Sequence, residues 1–116
     1  MSEVLVRAMG KIKQVPAFPG VIRRTLATGD NLTLVRIEVQ AGEKVPEHTH
    51  PHEQAGTVIA GRMSIRVGDV TADCETGDSY MIPGGVPHEI TGYGPVTLIE
   101  AFSPVRQDFI DEYPET

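Results

Sequence analysis

The 116-residue sequence has only one cysteine, no tryptophan and no apolar run long enough to cross a membrane. The single cysteine, Cys74, excludes an internal disulfide bond and favours a reducing compartment. Cys74 also alternates with Val70 and Ala72, as expected for a small residue of a strand rather than a reactive thiol. The first ten residues are charged and lack an apolar stretch of signal-peptide length. We therefore expect a cytoplasmic protein with no membrane partner.

Positive charge is also scarce. Lys and Arg number 10 against 16 Asp and Glu, which gives a net charge of −6 at pH 7. An acidic balance without a basic stripe argues against nucleic acid and against an anionic membrane surface as partners. A chain of this length has room for a single domain, residues 1–116. A small-molecule substrate is therefore the expected partner.

Helical periodicity is nearly absent, and short alternating stretches separated by Gly, Pro and Asp predict an all-β chain. Apolar and polar side chains alternate along the predicted strands, which cover residues 35–39, 63–67, 79–82 and 96–102. We predict a tight hairpin at Ala60-Gly61-Arg62 and a second turn at Gly68-Asp69. Strands this short and frequent favour a closed barrel or jelly roll, which leaves few exposed edges.

The first part of the chain is less periodic than the rest, because Pro16, Pro19 and Gly20 interrupt it. We therefore place the barrel at about residues 32–108 and an N-terminal arm at residues 1–31. The arm is expected to cover one end of the barrel or to pair with a second subunit. A homodimer is the natural expectation for a small barrel with such an arm.

Two blocks punctuated by glycine and proline contain all four histidines of the chain. The first runs Gly42-x5-His48-x-His50-x3-Gln54-x6-Gly61, and the second runs Gly77-x5-Pro83-x-Gly85-x2-His88-x3-Gly92. Side chains two apart on a strand point to the same face, so the spacing predicts that His48 and His50 converge. A kink at Pro51 can redirect Gln54, and the turn-rich segment before His88 can deliver a fourth ligand. The pattern predicts a metal site.

This ligand set, three imidazoles and one amide oxygen, is neutral, so a bound divalent ion keeps its full charge and acts as a Lewis acid. An octahedral ion would keep two open positions, unlike a closed structural zinc site. Imidazole ligands suit zinc, nickel, copper and iron alike. We therefore expect a divalent transition metal ion, nickel, zinc, iron or manganese, and the spacing does not choose among them. Glu53 is an alternative to Gln54 as ligand, and His52 is expected behind the ligands or at the surface. The competing interpretation is that these histidines are only polar residues of a hydrophilic loop.

The two blocks, GEKVPEHTHPHEQAGTVIAG and GDSYMIPGGVPHEITG, resemble the two characteristic motifs of the cupin family. The 15 residues between Gly61 and Gly77 match the short separation found in small single-domain cupins. The resemblance implies a double-stranded β-helix, or jelly-roll, barrel that binds its metal through His48, His50, Gln54 and His88. Gln54 stands where the usual cupin motif has glutamate.

Within the cupins, the chain resembles small pectin-degradation proteins that linearise unsaturated uronate sugars. These proteins carry the arrangement D-x-F-x3-R near the C-terminus, and this chain has Glu100, Phe102 and Arg106 at the corresponding positions. The resemblance implies that these three residues are catalytic. From the residues alone, Glu100 shares a strand face with Leu98, so an inward face would place a carboxylate in an apolar barrel with a raised pKa.

The leading hypothesis is therefore a metal-dependent enzyme that converts 4,5-unsaturated uronates to 5-keto-4-deoxyuronate. In this hypothesis Arg106 holds the substrate carboxylate, Glu100 shuttles a proton, and Phe102 packs against the sugar ring. The alternatives are a metal-dependent dioxygenase of a small organic substrate and a non-catalytic cupin that binds a small molecule. The competing interpretations are that Glu100 is a surface acid, that Phe102 is a core aromatic residue and that Arg106 is solvated beside Asp108.

Overall fold

The computed structural model describes residues 6–110, which form two antiparallel β-sheets. A short 3-10 helix at Met9–Lys11 precedes the strands, and a one-turn helix, α1, follows them at Gln107–Ile110. The ten strands are β1 (Val15–Phe18), β2 (Val21–Thr28), β3 (Thr33–Val39), β4 (Lys44–His48), β5 (Glu53–Ala60), β6 (Arg62–Val67), β7 (Val70–Glu75), β8 (Ser79–Ile82), β9 (His88–Gly92) and β10 (Val96–Ser103).

The six-stranded sheet has the order β1-β2-β3-β10-β5-β8, and the four-stranded sheet has the order β4-β9-β6-β7. Each strand pair is antiparallel, which gives the jelly-roll architecture that the sequence predicts. Among residues 6–110, no helix is long and apolar enough to cross a membrane.

The core lies between the two sheets and follows the alternation of the strands. In β10, every second residue from Val96 to Phe102 is buried, and the residues between them are only partly buried. β3 shows the same period, with Val35 and Val39 buried beside charged Arg36. The predicted faces of these two strands are therefore confirmed. Cys74 is buried in this core, and burial raises the pKa of its thiol, as expected for a packed strand residue.

The hairpin predicted at Gly61 is wrong. Strand β5 pairs with β10 and β8, whereas β6 pairs with β7 and β9, so Gly61 carries the chain from one sheet to the other. Its φ of 102° lies in the left-handed region, and a Cβ there would collide with the carbonyl oxygen of Pro95. A tight glycine link is present at the predicted position, but it connects the two sheets instead of joining two paired strands. The turn predicted at Gly68-Asp69 does join a hairpin, β6 to β7.

The N-terminal segment is more regular than its prolines suggest. β2 pairs with β3 over most of its length, and β1 pairs with β2 at the edge of the six-stranded sheet. A register irregularity between Pro16 and Phe18 accommodates the proline on this edge strand. The segment therefore extends the barrel wall and, as shown below, contributes residues to the cavity.

Candidate metal centre

Three histidines, two from the end of β4 and the loop after it and one from the start of β9, lie close together. His48 ends β4, His88 begins β9, and the two residues are register partners. His50 lies beyond the end of β4, in the loop that Pro51 helps to form. The ligand atoms of the three imidazoles all lie within 4.8 Å of one another. The convergence is as predicted, but its cause differs, because the loop, not strand parity, brings His50 to His48.

The backbone fixes the orientation of all three rings. Each Nδ1 lies within hydrogen-bond distance of a carbonyl oxygen: 2.8 Å for His48 to Pro46, 3.1 Å for His50 to His52, and 2.9 Å for His88 to Val86. Donation from Nδ1 leaves the Nε2 lone pair of each neutral ring for a metal ion. The Nε2 atom of His88 is buried and has no hydrogen-bond partner in the described structure.

Gln54 completes the group from β5. Its Oε1 lies 3.0 Å from Nε2 of His50, and its amide nitrogen donates a 2.6 Å hydrogen bond to Glu100. Because Nδ1 of His50 donates to the backbone, Nε2 of His50 and Oε1 of Gln54 present lone pairs to each other. A bound cation would satisfy both atoms. These residues therefore fit a divalent metal ion, and the orphaned Nε2 of His88 points to the same conclusion.

Burial favours the neutral form of His50 and His88, which is the form that binds a metal ion. Desolvation, together with the positive charge of Arg106, lowers the pKa of His50 to about 4. Burial also lowers the pKa of His88, against the opposing effect of its hydrogen bond to Val86. Near neutral pH both rings are therefore unprotonated, so an incoming cation does not have to displace a proton from them.

Glu53 and His52 lie outside this group. Glu53 is exposed at the start of β5, so the alternation of the strand points Gln54, not Glu53, to the interior. His52 is partly buried, and its Nε2 lies 3.2 Å from the carbonyl oxygen of Val105. The backbone oxygen of His52 orients His50, so His52 stands behind the histidine cluster, where the sequence analysis ranked it.

Glu100 lies on β10 next to this cluster and is only 4% exposed. Its Oε2 accepts two hydrogen bonds of 2.6 Å, one from the Gln54 amide and one from the Tyr80 hydroxyl. Burial raises the pKa of Glu100, although both hydrogen bonds and the charge of Arg106 act in the opposite direction. Glu100 is therefore not a surface acid. It is a buried carboxyl that is hydrogen-bonded directly to Gln54, one of the predicted ligands.

Phe102 and Arg106 also reach this end of the barrel. The ring of Phe102 is buried and packs edge-on against His50, with 5.6 Å between ring centroids. The guanidinium carbon of Arg106 lies 4.8 Å from the Phe102 ring centre and 4.0 Å from that of Phe109. Two guanidinium nitrogens donate to the Asp108 carboxylate at 3.1 and 2.9 Å. Arg106 is thus held beside Asp108, as the competing interpretation had it, yet its side chain is only 11% exposed.

A cavity of about 210 Å³ joins these residues. Most of its wall is apolar, and its polar groups are two histidines, one glutamine, two acids and two arginines. It is lined by Ala17, Phe18, Val21, Arg23, Ile37, Val45, His48, Gln54, His88, Ile90, Leu98, Glu100, Phe102, Arg106, Asp108 and Phe109. The structure therefore brings Glu100, Phe102 and Arg106 to one cavity with three of the four predicted ligands, and His50 contacts Phe102 beside it.

Among the cavity residues that sequence reasoning missed are Arg23 and Phe109. Arg23 lies on β2, and its guanidinium carbon is 3.9 Å from the Phe109 ring centre. Its two-residue spacing from buried Val21 was an available signal for an inward face, but the prolines before it obscured the strand. Phe109 belongs to the four-residue helix α1, which is too short for a periodic pattern. Outside the cavity lining, Tyr80 packs against the core, and its hydroxyl donates a hydrogen bond to Glu100.

The comparisons with known proteins agree with this architecture. The family model described as "Cupin domain" matches residues 35–102. An RmlC-like cupin from Shewanella frigidimarina superposes with a TM-score of 0.86 at 27% identity, over 92% of this chain and 96% of that chain. KdgF from Halomonas sp. superposes with a TM-score of 0.79 at 25% identity, over 84% of this chain and 90% of that chain.

A more distant structure shares the fold alone. A variant of oxalate decarboxylase from Bacillus subtilis is 20% identical and superposes with a TM-score of 0.71, over 77% of this chain and 27% of that chain. A search of curated proteins found no significant match. The matched region spans more than half of the chain and contains the histidine cluster, Gln54 and Glu100. The chain belongs to the cupin domain family.

Proposed function

We propose that this cupin is a metal-dependent enzyme that linearises 4,5-unsaturated uronates to 5-keto-4-deoxyuronate. One observation carries the proposal: a buried carboxyl and an arginine share a small cavity with a histidine cluster that fits a metal ion. A structural site would be closed by its ligands, whereas this cluster borders a cavity of about 210 Å³.

His48, His50, Gln54 and His88 would hold the divalent ion. When bound, the ion would supply a Lewis acid for the sugar oxygens in a mostly apolar cavity. The neutral ligand set leaves its charge uncompensated, so an anionic sugar is favoured electrostatically over a neutral one. Side chains of the protein itself would bind the substrate carboxylate and transfer the proton.

Arg106 is assigned to the substrate carboxylate. Its planar guanidinium already makes a two-point contact with the carboxylate of Asp108, and the same geometry suits a uronate carboxylate. The Asp108 side chain is 60% exposed, so it can turn to solvent when a substrate carboxylate replaces it. The Phe102 ring, which lies under the guanidinium, offers an apolar surface to the sugar ring.

Glu100 is assigned to proton transfer. Two acids line the cavity; Asp108 is paired with Arg106, which leaves Glu100 for the chemistry. In the proposed reaction, Glu100 gives its proton to C4 of the enol ether, water adds at C5, and the carboxylate recovers a proton from that water. The ring C5–O bond then breaks to leave a ketone at C5. The hydrated aldehyde at C1 returns one water, so substrate and product are isomers.

The resemblance to pectin-degradation proteins supports the same substrate class. The chain carries their phenylalanine and arginine, as Phe102 and Arg106, and replaces their aspartate with Glu100, whose extra methylene moves the carboxyl. The structural similarity to KdgF from Halomonas sp. extends over 84% of this chain and supports the assignment at the level of the whole barrel.

The test is incubation of the purified protein, loaded in turn with nickel, zinc, iron or manganese, with a 4,5-unsaturated monouronate. We expect the ultraviolet absorbance of the enol ether to decay faster than in buffer, without oxygen uptake, and NMR to show a C4 methylene beside a ketone. His50→Ala, which removes one predicted ligand, is the matched control and should leave the absorbance unchanged. Metal-loaded wild type that does not accelerate the decay would refute the proposal, and oxygen uptake with another substrate would favour the dioxygenase.

A further inference from the structure

Three neighbouring strands of the six-stranded sheet place one residue each in a row beside the candidate metal centre. In the register of the sheet, Gly56 of β5 is paired with Glu100 of β10 on one side and with Tyr80 of β8 on the other. Gly56 and Glu100 are buried, and the Tyr80 hydroxyl reaches Glu100, so all three positions face the interior. The row therefore runs from the edge strand β8 to the carboxyl assigned to proton transfer.

The middle position of this row is a glycine for a steric reason. A Cβ at Gly56 would collide with the ring and the hydroxyl of Tyr80. The φ of Gly56 is not in the left-handed region, so backbone strain does not require glycine here. The missing side chain is what lets the Tyr80 ring cross β5 and bring its hydroxyl to Glu100.

The Tyr80 hydroxyl donates to the same Glu100 oxygen as the Gln54 amide. Oε2 of Glu100 accepts from the Tyr80 hydroxyl and from the Gln54 amide, each at 2.6 Å. Both donors are fixed by packed strands, so together they set the position of the carboxyl and leave Oε1 outside the pair. The Gln54 amide that donates to Oε2 also points its own oxygen at His50. One carboxylate oxygen thus links Tyr80 to the histidine cluster.

We propose that Tyr80 is a positioning residue that holds the Glu100 carboxyl, across Gly56, in the place from which it transfers its proton. This inference rests on the proposed function of Glu100. The effect expected from its loss is on turnover, because misplacement of a catalytic group by about 1 Å costs up to about 100-fold in rate. Substrate binding through Arg106 and metal binding through the histidines do not require the hydroxyl.

Tyr80→Phe tests the proposal, because it removes only the hydroxyl and keeps the ring above Gly56. We expect kcat to fall by about 10- to 100-fold, with KM within about twofold of wild type and metal content unchanged. Tyr93→Phe is the matched control, since the Tyr93 hydroxyl also donates a 2.6 Å hydrogen bond to a carboxylate, that of Asp73, but at the protein surface. The control should keep the wild-type kcat.

Gly56→Ala is a second route to the same result, because the added methyl group pushes the Tyr80 ring aside while the hydroxyl remains. A folded Gly56→Ala protein should lose as much kcat as Tyr80→Phe. Crystal structures of the metal-loaded wild type and Tyr80→Phe give a readout that does not depend on activity. We expect the Glu100 carboxyl to shift by about 1 Å in the variant.

These readouts distinguish the two proposals. If the wild type linearises the uronate and Tyr80→Phe keeps the wild-type kcat, the positioning role is refuted and the proposed function stands. If the wild type does not act on the uronate, the proposed function is refuted, and the crystal structures then decide the positioning role. A carboxyl that stays in place in Tyr80→Phe overturns it, and a displaced carboxyl supports it.

Discussion

Replacement of Glu100 by glutamine separates proton transfer from packing. Both hydrogen bonds to this side chain end on Oε2, from Tyr80 and from Gln54. A glutamine amide oxygen in the same place can accept both, and its volume matches that of glutamate. We therefore expect Glu100→Gln to fold, to keep its metal and to change the free energy of unfolding by no more than about 1 kcal/mol.

The expected loss of activity is much larger. A positioned general acid contributes about 100- to 10,000-fold to a rate, which corresponds to roughly 2.7 to 5.4 kcal/mol in activation free energy. Glu100→Gln should therefore lower kcat by about 100-fold or more on the unsaturated uronate. Glu100→Ala should also destabilise the fold, because it leaves two buried donors unpaired at about 1 to 3 kcal/mol each.

The assay combines urea unfolding, metal analysis and the decay of the enol-ether absorbance for wild type, Glu100→Gln and Glu100→Ala. A glutamine variant with a kcat within about threefold of wild type would refute the role of Glu100, since general acid catalysis contributes far more. An alanine variant as stable as the glutamine variant would refute the hydrogen-bond argument.

Three further changes test metal binding, the role of Arg106 in substrate binding, and the packing of the core. Removal of metal by a chelator should lower Tm by roughly 10 °C, because a ligand at 100 times its Kd contributes about 2.7 kcal/mol; a scanning fluorimetry curve that does not move would contradict this. Arg106→Lys should raise KM by about tenfold or more, since an ammonium lacks the two-point contact with a carboxylate. A KM within about twofold of wild type would argue against the assignment of Arg106 to the substrate carboxylate. Leu98→Ala, in the fully buried centre of β10, should cost about 2 to 5 kcal/mol of unfolding free energy in urea, against about 0.5 kcal/mol for Leu32→Ala, whose side chain is 58% exposed.

Strands such as β3 and β10 could be predicted because their side chains alternate strictly. In β10 the period of two places Glu100 and Phe102 on the same inward face as Leu98, and the structure confirms this. Alternation reports which face is buried, but it does not report which strands are neighbours. For that reason Gly61 was wrongly assigned to a hairpin, although it connects the two sheets.

The histidine cluster could be predicted from spacing, but its construction could not. Pro51 ends the regular strand geometry, so the path that returns His50 to His48 is set by the loop. The contact of Tyr80 with Glu100 depends on two strands on either side of β5, which is a tertiary property. Arg23 could not be predicted because Pro16, Pro19 and Gly20 interrupt the pattern of this segment, which nevertheless forms part of the barrel wall.

We propose that His48, His50, Gln54 and His88 bind one divalent ion beside the cavity. The most direct measurement is the metal content of the protein after incubation with nickel, zinc, iron or manganese and removal of free ion, for wild type and His50→Ala side by side. The expected result is about one ion per chain in the wild type and little in the variant. A wild type that retains none of these ions, or a His50→Ala variant that retains as much as the wild type, would contradict it.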